Sequence, residues 1–223
     1  MRKLLFLAIL IACSAPLTFA QSTDDYHKLE VSGGYSHARV DTGVDDQDVD
    51  DADFGNEFGD FLRERRGFNG FDTAVTANVH KYVGLKFNFS AHFKSDDFTV
   101  TDGATTVGVN TRERLYNFLG GVQFKDNRKE SRFKPFGHVL AGAAHQSIRL
   151  TTPVVADNFD LDDTSFAMKF GGGLDYRVHP RVDLRLIEFN YNPIFHGDET
   201  FMGETFRGTT QHNFTIGFGV AIH

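Results

Sequence analysis

The chain has 223 residues, a formal net charge of −7, 24 phenylalanines, 22 glycines and no tryptophan. The acidic balance argues against nucleic acid as a partner, and a single cysteine, Cys13, rules out an internal disulfide. Abundant β-formers and glycine favour one all-β domain of ordinary barrel size.

Met1–Ala20 reads as an export signal, with Arg2 and Lys3, an apolar core over Leu4–Ala12 and Thr18-Phe19-Ala20 before Gln21. The core is too short to remain as a membrane span. Leu10-Ile11-Ala12-Cys13 also resembles a lipoprotein box, in which Cys13 would be lipidated, but the cleavage site at Ala20 favours Cys13 as a small apolar residue of the signal core. Residues 21–223 then form the mature barrel domain, and no later segment reaches the ~18 consecutive apolar residues of a spanning helix.

Lys28–Val40 is the first strand expected, with Leu29, Val31 and Tyr35 opposing Glu30, Ser32 and Ser36. An acidic connection, Asp41–Arg66, follows. Phe71–Val79 and Val83–Phe93 alternate at period two around a short turn, His80-Lys81-Tyr82. Leu85, Phe87, Phe89 and Phe93 stand opposite Lys86, Asn88, Ser90 and His92. A second long connection is read over Ser95–Thr111. Arg112–Phe124 and Phe133–His145 flank a basic turn, and glycine and alanine on both faces leave the register of Phe133–His145 open. After a third connection, Ser147–Asp163, a hairpin spans Phe166 to Tyr191 around His179-Pro180-Arg181. Its alternation falters at Ile187-Glu188-Phe189, where a bulge is expected. Asn192–Thr210 is a fourth long connection, and Gln211–Ile222 closes the series. Eight strands with long and short connections in turn predict an antiparallel up-and-down barrel, all long loops at one end.

Period two alone does not say which face looks inward. A soluble lipocalin-like barrel would place Phe, Leu and Val inside, and a membrane barrel would reverse this. An eight-stranded barrel has room only for small interior groups, and the polar face is mostly Gly, Ala, Ser, Thr and Asn. Phe87, Phe89, Phe93, Phe118, Phe124, Phe170, Phe214 and Phe218 suit a lipid-facing band, with Tyr82, Tyr116, Tyr176 and Tyr191 as interfacial belts. Closure satisfies the backbone, as lipid demands.

Three stretches carry a family resemblance. Glu30-Val31-Ser32-Gly33-Gly34-Tyr35 resembles the first strand of OmpA-like outer-membrane barrels, the porin-family β-barrel domain. Lys134-Pro135-Phe136-Gly137-His138-Val139-Leu140-Ala141-Gly142 resembles a mid-barrel strand of that family. Gly171–Val178, followed by Val182-Asp183-Leu184-Arg185, resembles its penultimate hairpin. The resemblance implies an eight-stranded barrel in the cell outer membrane and is nearly silent on activity, since members serve as anchors, adhesins, small pores or assembly factors. It implies outer-membrane lipid and lipopolysaccharide as surroundings and the barrel-assembly machinery as a partner during insertion. The chain departs from the family in closing on Ala221-Ile222-His223 instead of an aromatic residue.

An inward polar face would confine Glu30, Asp72, Lys86, Lys169, Asp175, Arg177 and Arg185 together. They would form either a salt-bridged plug, the reading preferred because unpaired buried charge is costly, or a narrow ion path. Asp46, Asp48, Asp50 and Glu57 mimic calcium-loop spacing, but Asp51 stands where that loop needs glycine, which favours a solvated acidic loop. These carboxylates could also bridge to lipopolysaccharide through divalent cations. Lipid A-modifying barrels use Ser and His, yet neither His145 with Ser147 nor His196 has a partner at a telling spacing. No catalytic, cofactor-binding or metal-binding set is therefore assigned. The expectation is a monomeric, non-enzymatic outer-membrane barrel with a structural or surface-interaction role and a largely plugged lumen. A small passive channel, a lipid A-modifying enzyme and a soluble binding barrel are the alternatives.

Overall fold

In the computed structural model the described residues are 25–41, 65–102, 105–151, 159–197, 199–201, 204–206 and 208–223. The signal segment, its Cys13 and the calcium-like loop positions lie outside them. The strands are β1 (Leu29–Val40), β2 (Arg66–His80), β3 (Val83–Asp102), β4 (Thr105–Lys125), β5 (Phe133–Thr151), β6 (Phe159–His179), β7 (Val182–Phe195), β8 (Glu199–Phe201), β9 (Glu204–Phe206) and β10 (Thr210–Ile222). Every large strand pairs antiparallel with its chain neighbour, and β1 pairs with β10, so eight strands close into a barrel. β8 and β9 form a small separate hairpin within the fourth connection.

The apolar faces point outward, as the lumen argument required. Phe87 is 69% exposed, whereas Lys86 beside it is 1% exposed. Phe118, Phe124, Phe214 and Phe218 share the outer band, and Tyr176 packs on Phe133 at the short-turn end. Tyr116 and Tyr191 stand toward the other end, and Tyr116 and Phe124 are separated by about 27 Å along β4 at ~3.4 Å per residue. Strand tilt reduces that to about 20 Å of height, close to the apolar band a lipid bilayer requires.

Three connections are shorter than the sequence reading drew them. β3 and β4 pair without interruption out to Asp102 opposite Thr105, so most of Ser95–Thr111 is a hairpin. Thr99, Val100, Thr101, Thr105, Thr106 and Val107 are strong β-formers. They lack apolar–polar alternation, so the period that marks the other strands is absent although backbone pairing continues. β5 and β6 extend in the same way, through Leu150 opposite Phe159, and β7 runs on to Phe195.

The undecided register of β5 resolves with Lys134, Phe136, His138 and Leu140 inward. Phe136 lies opposite Gly173 on β6. The predicted bulge is present: Leu174 pairs with Ile187 and Asp175 with Arg185, so β7 carries one extra residue. At the short-turn end Arg128 and Ser131 donate to Asp126, holding its carboxyl well below the usual carboxylate range and bracing the β4–β5 turn.

Candidate functional site

The lumen collects the polar side chains of all eight strands, because inward positions recur every second residue. At the short-turn mouth Asp183 accepts from Lys134 Nζ at 2.8 Å and faces Arg177 Nε at 3.3 Å and His223 Nε2 at 2.7 Å. The His223 ring stacks on His27, with centroids 4.2 Å apart. Burial, aided by His223, Lys134 and Arg177, pushes the His27 imidazole down to about 3.

One step deeper, Lys125 Nζ bridges Glu30 at 2.7 Å and Asp175 at 2.5 Å. Arg185 reaches Asp175 through Nε at 2.9 Å and Glu188 through Nη1 at 2.8 Å. Its guanidinium lies 4.3 Å from the centroid of Phe136, a cation–π contact. Lys86 stands 3.9 Å from Glu188 and 3.3 Å from His138 Nδ1. Above them Lys169 binds Asp72 at 2.9 Å and Asn88 at 2.7 Å, and His92 meets Ser36 at 2.9 Å.

Toward the long-loop end the filling becomes apolar. Ala38, Val40, Phe68, Leu115, Leu119, Leu140, Ala144, Ala167 and Ile194 are buried as one cluster. Arg66 and Glu113 pair above it, and Gln211 donates to the Asp41 carbonyl. Among the described residues, charged side chains line the lower part of the lumen and apolar ones the upper part.

All seven charged residues expected in the lumen are there and are partnered: Glu30, Asp72, Lys86, Lys169, Asp175, Arg177 and Arg185. Their partners Lys125 and Lys134 were missed, having been assigned to the basic turn and to a strand of open register. The apolar cluster was missed for a different reason. Phe68 fell between the acidic connection and the strand read from Phe71, Ile194 in a stretch read as loop, and Leu115 and Leu119 on a strand that is apolar on both faces.

Among the described residues the histidines singled out in the sequence form no Ser–His–carboxylate relay. His145 Nδ1 meets Thr164 Oγ1 at 2.8 Å, on the outer surface. His196 Nδ1 lies 2.8 Å from Asp163 Oδ2 and 3.2 Å from Ser165 Oγ, while Ser165 itself donates to Asp163 at 2.7 Å. A nucleophile–base pair needs the serine on one ring nitrogen and the carboxylate on the other. Here both crowd Nδ1, and Nε2 faces Gln211 Oε1 at 3.3 Å.

Residues 5–221 match a family described as outer membrane protein beta-barrel domain. No curated protein matches the chain. Among solved structures it is similar to Ail, the attachment invasion locus protein of Yersinia pestis, crystallised with the heparin analogue sucrose octasulfate. The identity is 14%, covering 87% of this chain and 97% of that one, with a TM-score of 0.49. Neisserial surface protein A is 10% identical over 89% of this chain and 99% of its own, with a TM-score of 0.46. The outer membrane protein OprG from Pseudomonas aeruginosa is 11% identical over 89% and 97%, with a TM-score of 0.45.

Proposed function

Since the chain belongs to the outer membrane protein β-barrel family and resides in the outer membrane, we propose that it is a structural and surface-interaction scaffold. On this reading a rigid barrel holds the long loops outside the cell and conducts little. The filled lumen carries the proposal: cross-strand ion pairs join β1, β4, β6 and β7 through Lys125 and Arg185, and an apolar cluster stops the upper half. Buried charges paired across strands rigidify a barrel, and separating them for an ion to pass is costly. Outer-membrane lipid and lipopolysaccharide surround such a scaffold, and the barrel-assembly machinery inserts it. Within the closed belt of the barrel every strand is paired on both sides, which supports a monomer.

Planar-bilayer recording of the purified protein tests the scaffold against the passive channel. A quiet trace is expected, and stable, reproducible openings overturn the plug. The proposed role is non-enzymatic, supported by the geometry around His196. Lipid A from cells overproducing the protein is expected to keep all its acyl chains. Loss of a chain that Ser165→Ala restores would establish the hydrolase instead.

A further inference from the structure

The short-turn end of the barrel is basic, although the chain as a whole carries a formal charge of −7. Among the described residues, exposed Lys81, Arg128, Lys129, Arg132 and Arg181 stand there against exposed Asp25 and Glu130. Arg128 is taken up by Asp126. The side chains of Arg132 and Arg181 have no hydrogen-bonding or ionic partner among the described residues. The Arg177 N–H donates to the Arg132 carbonyl at 2.8 Å, which continues the β5–β6 register one pair beyond Phe133 and Tyr176. Two arginines therefore meet across the ladder, where like charges repel. Arg177 is compensated from the lumen: it faces Asp183 at 3.3 Å, and its Nη2 donates to His27 Nε2 at 3.1 Å. Arg132 has no such carboxylate.

A cleft of about 760 Å³ opens at this point, lined by Lys129, Arg132, Arg177 and Arg181 and, among the described residues, by one carboxylate, Glu130. Lys129 offsets Glu130 in charge and Arg177 is engaged by Asp183, so Arg132 and Arg181 leave the cleft positive. The cleft turns the corner at the end of β6. Lumen-side Arg177 and lipid-side Val178 both line it, as does Tyr176. Val178 is 57% exposed, and Tyr176 packs on outward Phe133 at 5.0 Å. One wall is thus continuous with the apolar outer band and the other is cationic. A tyrosine at this level marks the boundary between acyl chains and headgroups, and Arg132 and Arg177 stand one residue, about 3.4 Å, beyond the Phe133–Tyr176 pair. A soluble anion would engage the cations and leave the apolar wall bare, whereas a phospholipid uses both. The guanidinium fork matches phosphate oxygens bidentately, and the positive balance selects an anionic headgroup over a zwitterionic one.

We propose that this cleft binds an anionic phospholipid of the inner leaflet, whose phosphate Arg132 and Arg181 hold while Tyr176 and Val178 support its upper acyl carbons. The site rests on the outer-membrane placement with the short turns on the periplasmic side and does not depend on whether the lumen conducts.

The test uses the full chain in phosphatidylcholine nanodiscs doped with phosphatidylglycerol or with phosphatidylethanolamine, retained lipid being counted by native mass spectrometry. A photoreactive phosphatidylglycerol locates the site by peptide mapping. The native protein is expected to retain phosphatidylglycerol selectively and to cross-link within residues 129–132 and 176–181. Arg132→Ala with Arg181→Ala is expected to weaken labelling at those residues roughly 25-fold, at about fivefold for each cation near an anionic surface. Equal labelling of the native protein and the variant overturns the site. So does equal retention of the two phospholipids by the native protein, a comparison that decides even if the variant does not close. Cross-links confined to other residues overturn it as well. Displacement of the lipid by inorganic phosphate or by a soluble acidic muropeptide at the same concentration also overturns it, by assigning the cleft to a soluble anion. A native protein that conducts yet cross-links at these residues removes the plug and leaves the lipid site standing.

Discussion

Arg185 and Glu188 are three residues apart on β7, an odd spacing, yet both point into the lumen and Nη1 lies 2.8 Å from Oε2. The extra residue at Leu186-Ile187 makes this possible, since a bulge resets the alternation by one. Arg185 thereby serves Glu188 and Asp175, with Glu30 at 3.6 Å. Arg185→Ala leaves these carboxylates short of a cation and is expected to cost about 3 kcal/mol. Urea unfolding in liposomes measures it. Arg185→Lys, which cannot fork between two carboxylates, is expected to fall between the two. A loss below about 0.5 kcal/mol for the alanine variant would mean the network does not hold the barrel.

Gly173 makes room for that same network. A Cβ there would sit 2.1 Å from the Ile187 carbonyl and 2.9 Å from Phe136 Cζ. Gly137, on the outer face, would meet only the Gly171 carbonyl, at 3.6 Å. Gly173→Ala is therefore expected to reduce stability by about 1–3 kcal/mol through overpacking, and Gly137→Ala to be tolerated. Heat-modifiable gel mobility after refolding separates the two, with a compact band retained for Gly137→Ala and diminished for Gly173→Ala. Phe136→Ala is expected to restore Gly173→Ala only in part, because the backbone carbonyl remains in the way.

Much of this was legible because lipid and a narrow lumen impose opposite demands on alternate residues. Val83–Phe93 shows both demands in one run, and its faces are as the sequence indicates. The bulge could be located because Glu188 on an apolar face would have been costly. Legibility failed where only one demand acts. At the outer ends of β3 and β4 the sequence carries β-formers without alternation, Thr99 to Val107, while the backbone pairing goes on. Phe68, Leu115 and Ile194 were illegible because a barrel interior accepts large apolar groups wherever small ones stand opposite, and periodicity does not report what lies across the lumen. Ser165 and His196 meet through β6–β7 adjacency, which no spacing in the chain reveals.

The apolar cluster and the charged tiers lie at successive levels of the lumen. Phe68 is 1% exposed and Leu115 2%, so Phe68→Ala is expected to cost about 3–4 kcal/mol by the usual transfer and cavity terms. If the lumen is plugged, Phe68→Ala with Leu115→Ala leaves the tiers around Lys125, Arg185 and Lys169 closed, and the bilayer trace stays quiet while the urea midpoint falls. Openings in that variant would locate the barrier in the apolar cluster and remove the ionic tiers from the account.

The stack of His27 on His223 makes the short-turn mouth sensitive to acid. In the folded protein burial, with His223, Lys134 and Arg177 alongside, holds His27 at about 3, against an ordinary value near 6.5; Asp183 opposes this. The unfolded chain therefore binds the proton first. Stability from this group is intact above pH ~6.5 and declines as pH falls toward 3. His27 is only half-buried, and after allowance for solvent screening the loss by pH 5 is expected to be on the order of 1 kcal/mol. Other groups titrate in the same range, so the informative quantity is the difference between the native protein and His27→Gln. Unfolding midpoints of the two in the same detergent are expected to converge as pH falls from 8 to 5, because only the native protein loses this term. Parallel curves would mean that His27 takes up its proton without disturbing the fold, and that the stack with His223 does not depend on a neutral ring.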